Sequence, residues 1–155
     1  MLTYQEESYK VALDPELIKL HFDEVELHQE LIALDPDYEV YESLEASGRL
    51  RSFTVRDDGV LVGYSIFILT WNLHCRSMRQ ADNNLIFLHP EHRKGFAGVD
   101  LIRYSERQLL EYGVDKITWH VKSKNDFGPV LKWLGYGDEE RIVAKMIDRR
   151  NLWAA

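Results

Sequence analysis

Residues 85–98, Leu-Ile-Phe-Leu-His-Pro-Glu-His-Arg-Lys-Gly-Phe-Ala-Gly, constrain the chain more than any other stretch. An apolar run ends at His89-Pro90. A short basic loop with two glycines follows, and Val99 onward has the pattern of a helix. A strand that feeds a loop at a helix start makes an anion site, because the loop N–H groups and the positive end of the helix dipole converge on one point. Gly95 and Gly98 let the backbone curl closely, and Arg93 and Lys94 supply charge that a pyrophosphate would use. An ordinary strand–turn–helix with a basic turn is the alternative, so the surroundings must decide.

Those surroundings form an ordered pattern. Asp14-Pro15-Glu16 starts a helix, with Asp as N-cap and Pro at the first helical position. Leu17, Leu20, Leu27, Leu31 and Leu34 extend it to the Asp35-Pro36 break. A second helix is expected over 38–47, ended by Gly48. A strand over 50–56 meets Asp57-Asp58-Gly59, a hairpin turn, and a strand over 60–69, apolar on both faces. Further strands are expected over 84–88, 116–122 and 141–147. Helices are expected over 97–112, with Leu101, Ile102, Ser105 and Leu109 inward, and over 127–134. A weak first strand falls around 7–12.

Leu88-x-Pro90-Glu91-x-Arg93, followed by glycines and a helix, resembles motif A of the GCN5-related N-acetyltransferases (GNAT), whose loop holds the pyrophosphate of acetyl-CoA. The family's Arg/Gln-x-x-Gly-x-Gly/Ala becomes Arg93-Lys94-Gly95-Phe96-Ala97-Gly98. The last glycine is in register, and Phe96 stands at the first glycine position. Leu134-Gly135-Tyr136 resembles the family's Leu-Gly-Phe turn, and Asn125 resembles the residue that contacts CoA near the pantetheine, though it could equally cap the next helix. The resemblance covers nearly the whole chain and looks most like the compact, divergent members of bacteria and bacteriophages. It implies one α/β domain over residues 1–155, with the GNAT-like acyl-CoA N-acyltransferase fold: a mixed central sheet flanked by helices. It also implies acetyl-CoA as co-substrate and no metal. The strands before the loop and after the long helix should splay, with Phe87, Leu88 and His89 on one side of the gap and 118–122 on the other. By the same resemblance the CoA-binding residues are Phe87, Leu88, His89, Arg93, Lys94, Gly95, Phe96, Ala97, Gly98 and Asn125. The first two helices and the 71–82 loop should form the acceptor site.

Acetyl transfer needs a base near neutrality, correct positioning and a polarised carbonyl. His120, on the polar face of a strand beside the gap, is the first candidate base. Asp82, just before the motif A strand, is the second. The family's usual tyrosine acid falls at Leu131, which has no proton to give. A catalytically weak or inactive CoA-binding or protein-interaction module is therefore the alternative to an active N-acetyltransferase acting on a primary amine.

Other polar groupings carry less. His21, Glu24 and His28 share a helix face, but imidazoles seven residues apart are separated by about 10 Å, so they read as solvated side chains. His89 and His92 flank Pro90-Glu91 without an evident third ligand, and His74-Cys75 has no orienting acid. Tyr64 and Tyr104 are expected in the core or lining the cleft; Trp71, Trp119 and Trp133 are expected in the core.

The 155-residue chain has a formal net charge of −7, which argues against nucleic acid or an anionic membrane as partner and mildly favours a cationic amine, on a small molecule or a protein. The single cysteine, Cys75, fits a reducing compartment, and neither a signal peptide nor a membrane-length apolar run is evident; a cytoplasmic protein is expected. Members of the family are often dimers, so a homodimer is an allowed assembly.

Overall fold

A computed structural model describes residues 1–147. Five strands form one sheet in the order β1-β2-β3-β4-β5: β1 (Leu2–Glu6), β2 (Leu50–Asp57), β3 (Val60–Trp71), β4 (Arg79–Leu88) and β5 (Lys116–Thr118). All neighbours are antiparallel except β4 and β5. The helices are α1 (Tyr9–Ala12), α2 (Pro15–Val25), α3 (Tyr38–Ala46), α4 (Ala97–Glu111) and α5 (Gly128–Trp133), with a 3-10 turn at Pro90–His92. Together they make the single-domain α/β arrangement expected, a mixed sheet flanked by helices.

The apolar pattern explains the layers. Tyr9, Ala12, Leu13, Leu17 and Ile18 pack with Leu50, Tyr64, Ile66 and Phe87 on one face of the sheet. Leu101 and Leu109 of α4 pack with Phe53, Val55, Val62, Phe67 and Leu69 on the other. β3 is thus buried on both sides, as its continuous apolar run requires. The hairpin turns at Asp58 and Gly59, both at positive φ (46° and 86°), which matches the right-handed twist of the flanking strands. Asp14 caps α2, its carboxylate accepting from the N–H groups of Glu16 (3.1 Å) and Leu17 (3.0 Å).

Several expectations fail. The first helix stops at Val25 rather than 34, because the Gln29 side-chain amide donates to the Asp23 carbonyl (2.7 Å) and also to those of Phe22 and Glu26, occupying the helix's last acceptors. Leu27, Leu31 and Leu34 are exposed. The first strand lies at Leu2–Glu6, and most of 7–12 is helix α1, capped by Ser8. β4 begins at Arg79, five residues before expected, which shortens the preceding loop and puts Asp82 inside the strand. β5 ends at Thr118, and 141–147 is not a strand: Ile142, Val143 and Ile147 are exposed. In both places alternation specifies two faces but supplies no neighbouring strand to bond with. Trp71 and Trp133 are 61 % and 64 % exposed rather than core, each beside an arginine, Arg79 and Arg103 respectively. Tyr64 is fully buried, and Trp119 packs against Phe67, Phe127 and Tyr136.

Candidate active site

The site begins where the sheet comes apart. β4 pairs with β5 only through Gln80–Lys116, Ala81–Ile117 and Asp82–Thr118. Immediately afterwards β4 bulges: Leu85 faces Ile66 and Asn83 faces Phe67, so Asn84 is an extra residue. The buried Asn83 amide holds the bulge, donating to the carbonyls of Leu85 (3.0 Å) and Ile66 (3.3 Å). Beyond it, residues 83–88 have no strand partner on the β5 side. A cavity of about 520 Å³ occupies the gap.

At the loop end of the cavity, α4 starts at Ala97. Its N-cap, Phe96, makes no side-chain capping bond, so the first N–H groups of the helix are left for another acceptor. Gly95 carries the left-handed turn, at φ +90°, while Phe96 sits at φ −104°. The positive φ therefore falls one residue before the family's glycine position, which is why Phe is tolerated there. Gly98 has ordinary helical backbone, and a Cβ on it would meet only Leu88 Cδ2, at 3.8 Å.

The residues singled out from sequence separate into groups. Phe87, Leu88, Arg93, Gly95, Gly98 and Asn125 line the cavity, as does His120, which lies two residues past the end of β5 and is exposed rather than mid-strand. Lys94 and Phe96 are exposed on the loop, and Ala97 is buried at the helix start. His89 turns to the backbone, its N–H donating to the Val62 carbonyl (2.7 Å) and its Nδ1 accepting from the Glu91 N–H. Asp82 accepts from the Gln80 amide (2.6 Å) in the paired part of β4 and does not line the cavity. Arg93 is committed elsewhere: it pairs with both oxygens of Glu24 on α2, and its Nε donates to the Leu88 carbonyl (2.8 Å). The guanidinium holds the Glu24 carboxyl below the usual range. Arg93 thus ties the loop to α2.

Asn125 does not cap α5. The N-cap there is Phe127, and it is Asp126 that accepts from the Gly128 N–H (2.8 Å). Asn125→Asp is accordingly expected to keep the melting temperature and, where Asn125 bonds the CoA arm as the family resemblance implies, to weaken acetyl-CoA binding about tenfold. Thermal denaturation beside calorimetric titration checks both halves.

Sequence reasoning missed His21. It is 7 % exposed, lines the cavity, stacks on Phe87 (centroids 4.7 Å apart, planes at 18°) and places Nδ1 2.7 Å from the Tyr64 hydroxyl. The signal was available: Leu17, His21 and Val25 fall at intervals of four, and all three are buried. Burial lowers the His21 pKa to about 4. In the unfolded chain an imidazole titrates near 6.5. The buried neutral ring therefore costs nothing above that pH, and stability falls progressively as pH drops from about 6.5 to about 4, by about 3 kcal/mol in all. Urea unfolding at pH 7 and pH 4.5 should show this loss, and it should diminish when His21 and Tyr64 are both replaced by Phe.

The family profile described as acetyltransferase (GNAT) family matches residues 16–127, well over half of the chain. The chain belongs to that family. Solved acetyltransferases share the fold of this GNAT protein at low identity. The ribosomal-protein-alanine N-acetyltransferase of Brucella melitensis biovar Abortus 2308 superposes with a TM-score of 0.67 at 18% identity, over 94% of this chain and 99% of that one. A predicted acetyltransferase of Clostridium acetobutylicum, solved with acetyl-CoA, gives 0.66 at 14%, over 94% and 96%. An aminoglycoside acetyltransferase from an uncultured soil metagenomic sample, in complex with sisomicin, gives 0.70 at 14%, over 95% of each. Comparison with curated proteins returns no significant match. Among the described residues, no group of three or more His, Cys, Asp or Glu could hold a metal ion, and no helix is long and apolar enough to cross a membrane.

Proposed function

We propose that this GNAT protein, as one domain over residues 1–155, transfers the acetyl group of acetyl-CoA to a primary amine of a small molecule or a protein. The observation that carries the reading is the gap between β4 and β5, which opens at the Asn84 bulge and ends on the uncapped start of α4. The thiol arm runs along residues 83–88 as a pseudo-strand, and the pyrophosphate sits on the N–H groups of residues 95–98 with Lys94 beside it. Asn125 bonds the arm from the opposite wall.

The acceptor enters between α2, the α2–α3 connection and β4. Glu26 and Asp35 line that part of the cavity among Phe22, Val25, Leu34 and Tyr41, which suits an ammonium group carried on an apolar body. No nucleic acid or membrane surface has a part in this reading.

His120 takes the proton from the ammonium. The neutral nitrogen attacks the thioester carbonyl carbon, whose oxygen is stabilised by a backbone N–H of the bulge. The C–S bond then breaks and CoA leaves as thiolate. Leu131, at the family's tyrosine position, is buried and gives no proton. A free thiol titrates at about 8.5, so the departing thiolate is basic enough to take up, relayed through water, the second proton of the attacking nitrogen, which leaves as the neutral amide. Asp82, outside the cavity, has no step in this scheme.

His120→Gln should lower turnover roughly a hundredfold, as loss of a general base does, with acetyl-CoA affinity retained. Thiol release at saturating acetyl-CoA and amine measures this. Full activity in the variant would remove His120 from the mechanism.

A further inference from the structure

We propose that His21 is a further binding residue of the cavity: a neutral imidazole whose Nε2–H, held in position by Tyr64, donates a hydrogen bond to a carbonyl oxygen of the acyl-CoA thiol arm. The inference rests on the acetyl-CoA reading above and adds a contact from α2, an element to which that reading gives only the acceptor.

The tautomer follows from the hydrogen bonds. Tyr64 is fully buried on β3, and among the described residues His21 Nδ1 is the partner of its hydroxyl, at 2.7 Å. A phenol with no other acceptor directs its hydrogen there. Nδ1 is then the acceptor, and the proton of the neutral ring resides on Nε2. The ring plane is fixed by stacking on Phe87. Nε2 finds no hydrogen-bond partner among the described residues, yet His21 forms part of the cavity wall. Nε2 is not among the sealed, unpartnered polar atoms, so its N–H is open to the cavity and available to a ligand carbonyl that arrives there.

The position selects the ligand group. Phe87 belongs to the unpaired stretch of β4 along which the thiol arm runs, and His21 lies flat against it. That arm offers carbonyl oxygens from its two amides and from the acetyl thioester. The charged groups around the ring are Glu24 on α2, Arg93 on the loop and Lys122 beyond β5. Glu24 favours protonation and is itself engaged by Arg93; the two cations and burial oppose it. The ring therefore stays neutral, and its donor stays constant, across the working pH range. Tyr64 acts as a positioning residue through His21.

The test uses nitrogen-15-labelled histidine in the full-length protein, followed by NMR with and without acetyl-CoA. The expected result is an Nε2-protonated His21 that does not titrate between pH 5.5 and 8, with its N–H proton shifting downfield on saturation. Replacing His21 and Tyr64 together by Phe keeps the stacking and leaves no orphaned hydroxyl. That double variant should bind acetyl-CoA roughly tenfold more weakly. Equal loss for acetyl-CoA and for free CoA places the contact on an amide carbonyl; loss for acetyl-CoA alone places it on the thioester. An Nδ1-protonated ring, or an Nε2–H signal unmoved in protein that has bound acetyl-CoA, overturns the inference while leaving the acetyltransferase reading intact. A wild-type protein that binds no acetyl-CoA overturns both.

Discussion

Gly98→Glu is expected to leave the protein folded and to weaken acetyl-CoA binding about a thousandfold. Gly98 is the second residue of α4, and a Cβ there meets only Leu88 Cδ2 at an ordinary 3.8 Å. A carboxylate in the first turn also suits the helix dipole, and replacing glycine inside a helix gains up to about 1 kcal/mol. Stability should therefore hold or rise. In the proposed reading the same carboxylate stands where the pyrophosphate sits. At roughly 4 Å and an effective dielectric near 20, the repulsion is about 4 kcal/mol, or three decades of affinity. Gly98→Ala adds bulk without charge and should cost far less. Circular dichroism checks the fold and calorimetry the binding. A folded Gly98→Glu protein with undiminished affinity would remove the loop from the CoA site.

Gly63→Ala should do the opposite, damaging the fold before any ligand is involved. Gly63 faces Leu88 across the β3–β4 ladder. A Cβ there would stand 2.7 Å from the Phe87 carbonyl oxygen, 2.9 Å from Leu88 Cδ1 and 3.0 Å from Val55 Cγ1. The closest of these is backbone of β4, held in the ladder with β3, and cannot rotate away. Overpacking of this kind costs about 3 kcal/mol, which for a chain of this size lowers the melting temperature by about 6–12 °C. Gly63→Val should not fold. Thermal denaturation followed by circular dichroism reads both. The position also matters to the cavity, because Phe87 and Leu88 are the wall that would be displaced.

Two kinds of information in the sequence survived into the structure. Local chemistry did: Asp14-Pro15 capped a helix, Asp58-Gly59 turned a hairpin, and residues 85–98 made a strand, a left-handed turn at Gly95 and a helix start. Strong periodicity did as well, placing Leu101, Ile102, Ser105 and Leu109 inward on α4. The failures are all cases where a pattern needed a partner that sequence does not name. Trp119 to Lys122 alternates like a strand, but β4 turns away at Asn84 and leaves nothing to pair with, so His120 emerges on an irregular segment. Leu27, Leu31 and Leu34 keep helical spacing, yet the Gln29 amide closes the helix before them. Arg93 looked like a free phosphate ligand, and Glu24, distant in sequence, holds its guanidinium. His21 looked like a surface side chain because its partners, Tyr64 and Phe87, lie on strands far along the chain. The strand–loop–helix path and the splayed strands were legible; the wall that α2 builds opposite them was not.

The central claim is that this GNAT protein binds acetyl-CoA in the β4–β5 gap and delivers the acetyl group to an amine. Calorimetric titration of the wild-type protein with acetyl-CoA, continued as a thiol-release assay across aryl- and alkylamines, polyamines, aminoglycosides and peptide N-termini, tests it most directly. The account predicts saturable one-to-one binding and amine-dependent thiol release, fastest for amines with an apolar body. Saturable binding with no thiol release from any amine would contradict the transferase and leave a CoA-binding module; no binding at all would contradict the account at its root.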